Sequence, residues 1–166
     1  MTFFVRTAGL RDLEAISRLL GETWHATYDG IYGAERVAEI TGTWHSVDAL
    51  KSRLGKLNAE FVVGDDGERL GGTAFAAAAG PDGKTVVLHQ LYVHPDCQGS
   101  GLGSALLAEI IESFPQAERL RLEVEEANEP AIRFYRAKGF TKTGSTANCG
   151  AADSGIPAAI YEKPLG

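Results

Sequence analysis

The densest chemical signal in this 166-residue sequence is Cys97-Gln98-Gly99-Ser100-Gly101-Leu102-Gly103-Ser104, a glycine cluster that runs into a helical apolar pattern. Glycines let a backbone approach a ligand closely. The first N–H groups of a helix have no intrahelical partner, so the segment suits an anion, most often a phosphate or pyrophosphate. The competing reading is a tight strand-to-helix turn with no ligand. A triphosphate-binding P-loop is excluded, because no Gly-Lys-Ser/Thr follows at the required spacing. A dinucleotide fingerprint is excluded as well, since Gly99, Gly101 and Gly103 read G-x-G-x-G and not G-x-G-x-x-G.

Proton-transfer candidates lie on either side of this cluster. His89 has an ordinary pKa near ~6.5, suited to taking a proton at neutral pH; a satisfied or surface histidine is the alternative. Glu123 and Glu125 compete with it, acting through water, or are solvated strand residues beside Arg119 and Arg121. Cys97 adjoins a helix N-terminus that lowers thiol pKa values, yet it has no base nearby in sequence and reads as a small loop residue. Trp24 and Tyr28, four residues apart, share one helical face, as paired core aromatics do. Cys97 and Cys149 with four scattered histidines offer no zinc-type spacing, so no metal is expected.

Composition narrows the partners. A net charge of −6 disfavours nucleic acid and suits amines. No apolar run approaches the ~20 residues of a membrane span. Met1-Thr2-Phe3-Phe4-Val5-Arg6 lacks the features of an export leader, so a cytoplasmic location is expected.

The elements that must position these residues follow from periodicity. Val5 to Ala8 is a strand, and Leu13, Ile16, Leu19, Leu20 and Trp24 mark an amphipathic helix with Asp12 near its N-terminus. Gly21 to Gly42 gives no clear element. A second helix starts near Ser46, with Val47, Leu50, Leu54 and Leu57 on one face. Phe61 to Val63, Leu70 to Ala78 and Thr85 to Val93 are strands, the last of them central and ended by Pro95. A helix over Gly101 to Phe114 buries Leu102, Leu106, Leu107, Ile110 and Ile111. Leu120 to Glu125 is a strand, and Pro130 to Lys138 is a helix started by proline and stopped by Gly139. Thr141 to Ala147 and Ile156 to Pro164 are strands across a Gly/Ala/Ser-rich loop. The order describes an α/β domain with one mostly antiparallel sheet.

Gln98, Gly101 and Gly103 resemble the Gln/Arg-x-x-Gly-x-Gly/Ala pyrophosphate loop of the GNAT superfamily of acetyl-CoA-dependent N-acetyltransferases. Leu91-Tyr92-Val93-His94-Pro95 is similar to the strand that feeds this loop, and Asn128 to Phe140 matches the family's Asn-x-x-Ala-x-x-x-Tyr-x-x-x-Gly-Phe segment. The resemblance implies a single α+β domain over residues 1–166, with a mixed, mostly antiparallel sheet of about seven strands and about four helices. It implies direct attack of an amine on acetyl-CoA, with no metal.

Tyr135 would then be the acid for the departing thiolate, with helix packing as its alternative role. Backbone groups of Leu91, Tyr92 and Val93 would hold the pantetheine, together with Asn128, which equally suits helix entry. Gln98, Gly99, Ser100, Gly101, Leu102, Gly103 and Ser104 would hold the pyrophosphate. Ser100 replaces a basic residue common in the loop, so binding would rely on amides. The resemblance also places Trp24 and Tyr28 at a wall of the acceptor site. His89 resembles half of the histidine relay of arylalkylamine acetyltransferases, with Val87 where the second histidine would fall. The implied partner is a small-molecule amine or a peptide N-terminus. A homodimer is left open.

Overall fold

A computed structural model describes residues 2–149 and 155–165; most of the expected Gly/Ala/Ser-rich loop lies outside these residues. In chain order the elements are β1 (Phe4–Thr7), α1 (Leu13–Tyr32), α2 (Ala34–Trp44), α3 (Val47–Leu54), β2 (Ala59–Asp65), β3 (Leu70–Ala78), β4 (Thr85–Val93), α4 (Leu102–Glu112), β5 (Arg119–Val124), α5 (Glu129–Ala137), β6 (Thr141–Thr146) and β7 (Ala158–Pro164). The strands form a seven-stranded sheet in the order β1-β2-β3-β4-β5-β7-β6. Pairing is antiparallel at β1–β2, β5–β7 and β6–β7 and parallel at β4–β5. This is the mixed, mostly antiparallel α/β architecture expected from the sequence. The helix beyond the expected set is α2, inside the stretch that gave no clear element.

The chain divides into two compact units, Met1–Ala76 with Gln90–Ser113, and Ala77–His89 with Phe114–Gly166. In the first, α1 buries Leu13, Ile16, Leu19, Leu20, Trp24 and Tyr28 along one face. Its start is fixed by Asp12, whose carboxylate accepts from Gly9 N at 2.8 Å and from Arg6 Nη1 and Nη2 at 2.9 Å. Those guanidinium hydrogen bonds hold the Asp12 carboxyl below the usual carboxylate range. Ser46 caps α3 by accepting from Ala49 N at 3.2 Å. The apolar face expected for α3 is narrower than its sequence pattern. Leu50 is fully buried and Leu54 half-buried, whereas Val47 is exposed and Leu57 lies past the helix end. On α4, Leu102, Leu106, Leu107 and Ile110 are buried and Ile111 is half-buried.

In the second unit, β5 alternates as a strand should. Leu120, Leu122 and Val124 point inward while Arg119 and Arg121 are exposed. Asn128 caps α5 through its side chain, which accepts from Ala131 N at 3.3 Å, and Pro130 occupies the first turn. The helix carries Tyr135 into the interior, where its ring meets Phe134 and Phe140 edge-on at 5.3 and 5.4 Å.

Candidate functional site

The glycine cluster forms the link between β4 and α4. Pro95–Cys97 make a short 3-10 turn, entered through His94, whose Nδ1 accepts from Asp96 N at 3.1 Å. Two side chains then fasten the loop to itself and to β4. Ser100 Oγ donates to Cys97 O at 2.6 Å, and Gln98 Nε2 donates to Val93 O at 3.2 Å. Gly101, with φ of +85°, sits in the left-handed region as the N-cap of α4. A side chain built there, or at Gly99, would meet nothing within 4 Å, so glycine is required by backbone conformation and the flank of the loop stays open.

The end of α4 itself is electrostatically bare. No side chain caps it and no acidic residue occupies its first turn, whereas Glu14, Glu35, Asp48 and Glu129 stand in the first turns of α1, α2, α3 and α5. The amides of Leu102, Gly103 and Ser104 therefore present the positive end of a helix dipole with no carboxylate in the helix's own first turn. Leu102 is buried and anchors that end. Cys97, read from the sequence as a small loop residue, is also buried, with its sulfur tight against Gly71.

The ladder between β4 and β5 runs from Thr85↔Arg119 to Leu88↔Leu122. β4 continues to Val93, and its alternation of burial is lost over Leu91, Tyr92 and Val93, all half-buried. His89, on the same strand, is exposed.

Around Tyr135 the second unit gathers a buried carboxylate and a buried thiol. Glu125, just beyond β5, is 5% exposed, and Cys149 Sγ lies 3.9 Å from its Oε1. Burial and the charge of Glu125 push the Tyr135 phenol well above its ordinary value, so it keeps its proton. Burial, then the charges of Glu125 and Glu123, push the Cys149 thiol up to about 12.

In the first unit Trp24 and Tyr28 are each 1% exposed, their ring centroids 4.5 Å apart, with Val37 in the same cluster. Their indole and phenol rings are core elements, enclosed on every side. Beside them His45 and Gln90, also buried, approach at 3.0 Å between His45 Nδ1 and Gln90 Nε2. Burial, with the charge of Arg53 adding to it, lowers His45 to about 3, so its imidazole is neutral. Thr23 Oγ1, Trp24 Nε1, His45 Nε2, Arg53 Nη1 and Gln90 Oε1 are buried without hydrogen-bond partners among the described residues. Each such atom costs on the order of 1–3 kcal/mol.

Comparison with known proteins establishes the family and the fold. The profile of the Acetyltransferase (GNAT) family matches residues 17–140. The chain belongs to the GNAT acetyltransferase family. The fold is that of the PaiA N-acetyltransferase from Thermoplasma acidophilum, solved in complex with coenzyme A: TM-score 0.86, 23% identity, 99% of this chain and 100% of that one. RimI, an N-alpha-acetyltransferase of Mycobacterium tuberculosis, is 31% identical over 116 residues, covering 55% of this chain and 73% of that protein. An uncharacterized N-acetyltransferase, ycf52 of Porphyra purpurea, is 28% identical over 117 residues, 68% of this chain. The match spans 65% of that relative's length.

Within this GNAT chain the first unit holds Trp24, Tyr28, Leu91, Tyr92, Val93 and the whole of Gln98 to Ser104, and the second holds His89, Glu123, Glu125, Asn128 and Tyr135. Gln98 and Ser100 hold the loop's shape through their side chains. The sequence reading missed the His45–Gln90 pair and the half-buried Arg53. Nothing in local spacing joins residues 45 positions apart, although a histidine beside the capping residue Ser46 was visible.

Proposed function

We propose that this chain is an N-acetyltransferase, a single domain over residues 1–166, that moves an acetyl group from acetyl-CoA to the primary amine of a small molecule by direct attack. The observation that carries the reading is the N-terminus of α4: uncapped, free of acidic residues, and preceded by Gly101 in the left-handed region with open space beside it. That cradle fits a pyrophosphate. We assign the pyrophosphate contacts to the amides of Gln98 through Ser104, and the pantetheine contacts to Leu91, Tyr92 and Val93 with Asn128. Bound acetyl-CoA supplies the activated thioester.

The chain's own chemistry is proton transfer and orientation. Tyr135 Oη holds a proton for the leaving thiolate, and its raised pKa keeps that proton in place until charge develops. Main-chain N–H groups at the end of β4 orient the thioester carbonyl and polarise it. We assign uptake of the amine proton to His89, with Glu123 and Glu125 as the competing carboxylates acting through water. Trp24 and Tyr28 back the acceptor side from within the core. The net charge of −6 favours cationic acceptors.

A second reading, transfer to a protein N-terminus, is favoured by the likeness to RimI of M. tuberculosis. A thiol-release screen of amines, amino acids and peptides with free N-termini separates the two. Turnover on small amines supports the first reading, and turnover confined to peptides supports the second. Coenzyme A binding with no turnover on any acceptor would leave an acyl-CoA binding module.

A further inference from the structure

Arg53 is half-buried, and no carboxylate among the described residues neutralises its charge. Its Nη2 donates to Trp44 O at 2.6 Å and its guanidinium lies 5.9 Å from the Phe75 ring centroid, while Nη1 has no partner among the described residues. Three more unpartnered polar atoms lie close by: Trp24 Nε1, His45 Nε2 and Gln90 Oε1. Ring centroids place Trp24 at 5.5 Å from His45 and 6.3 Å from Tyr92, and His45 at 6.4 Å from Tyr92.

The hydrogen-bonding capacity of this set is specific. Arg53 and Trp24 can only donate. The His45–Gln90 pair, held at 3.0 Å, leaves one donor and one acceptor over, whichever way the Gln90 amide is turned. The total is three donors, one of them cationic, against one acceptor. That is the complement of a carboxylate. Apolar residues in these positions would make a more stable interior, so a donor-rich cluster kept here suits a ligand of complementary chemistry.

We propose that Arg53, Trp24 and the His45–Gln90 pair recognise a carboxylate carried by the acceptor, which makes the acceptor an amino acid or another amine that bears an acid group. The proposal rests on the acetyltransferase reading for the word acceptor, but carboxylate binding is testable without turnover. The orphan atoms are enclosed, so entry requires the half-buried side chains at the cluster's edge, Trp44, Arg53 and Tyr92, to swing aside.

The chain contains two tryptophans, Trp24 and Trp44, so its indole N–H resonances are two and assignable with Trp44→Phe. The experiment titrates the coenzyme A-loaded protein with each common L-amino acid, its α-amide and its decarboxylated amine. At least one amino acid is expected to move the Trp24 indole resonance downfield, with its amide and amine at least tenfold weaker. Arg53→Gln should weaken that amino acid at least tenfold and leave coenzyme A affinity unchanged, with partial recovery in Arg53→Lys. If Arg53→Gln does not fold, Gln90→Leu carries the same comparison. Amides or amines that bind as tightly as the acids, or amino acids that never move the resonance, would overturn the proposal. Binding of amino acids without acetylation of any amine would instead count against the transferase reading alone.

Discussion

Leu102, the first residue of α4, packs over Gly64 of β2 so closely that a methyl group on Gly64 would fall 2.5 Å from Leu102 Cδ1. The helix terminus that we assign to pyrophosphate is thus fixed to the sheet by the absence of a side chain, before any ligand arrives. Gly72 on β3 extends the same seat. A Cβ there would lie 2.9 Å from Tyr92 O and 3.0 Å from Leu106 Cδ1.

That geometry orders two substitutions. At Gly64 the obstacle is the tip of a leucine, whereas at Gly72 it includes a backbone carbonyl that cannot turn away. Gly72→Ala is expected to destabilise by about 1–3 kcal/mol, the cost of overpacking, and Gly64→Ala by less. Urea unfolding of both variants checks the order; equal stability of Gly72→Ala and the parent chain would mean that β3 and β4 are not packed this tightly.

Tyr135→Phe keeps the ring between Phe134 and Phe140 and removes only the hydroxyl. We expect kcat to fall on the order of 10²-fold, with coenzyme affinity unchanged, because the phenol acts only as charge develops on sulfur. Since burial and Glu125 raise its pKa, ionisation of Tyr135 should contribute no loss of rate below about pH 10. Steady-state kinetics across pH on a confirmed acceptor decide the matter, and an unchanged kcat leaves Tyr135 as a packing residue.

His45 predicts an acid-side loss of stability. Its folded pKa of about 3 lies below the ordinary 6.5, so the unfolded chain binds the extra proton between those values. The contribution is fully present above pH 6.5 and is lost as pH falls towards 3. His45→Gln, which cannot titrate, should show a flatter stability curve over that window. Thermal melts from pH 7 to 4 that fall in parallel for both proteins would place the titration elsewhere.

Much of this was legible because local signals and tertiary structure agree. The glycine loop, the helix that follows it and the Asn128–Pro130 entry to α5 are each specified by residues adjacent in sequence. α2 was not, although Val37, Ile40 and Trp44 recur at helical spacing, because Ala34–Trp44 is polar overall and lies mostly inside a stretch punctuated by Gly33 and Gly42. α1 runs on to Tyr32 through Gly21 and Gly30, inside the stretch that gave no clear element; burial of Trp24 and Tyr28 outweighs the low helix propensity of glycine. Glu125 read either as a base acting through water or as a solvated strand residue; it is not the second, because it lies past the end of β5, where alternation no longer governs its burial. The Arg53 cluster is assembled from α1, α3, the α2–α3 link and β4, a convergence that no window of sequence contains.

Acetyl-CoA is proposed to bind with its pyrophosphate on the N-terminus of α4, and calorimetry on the parent chain and Gly101→Val decides whether it does. A valine at φ of +85° forces the turn out of its left-handed conformation and projects into the space assigned to the pyrophosphate. Saturable acetyl-CoA binding is expected for the parent chain and a loss of at least about 100-fold in the variant, with the fold retained in thermal melts. Parent-level affinity in Gly101→Val, or no binding by the parent chain, would contradict that binding mode.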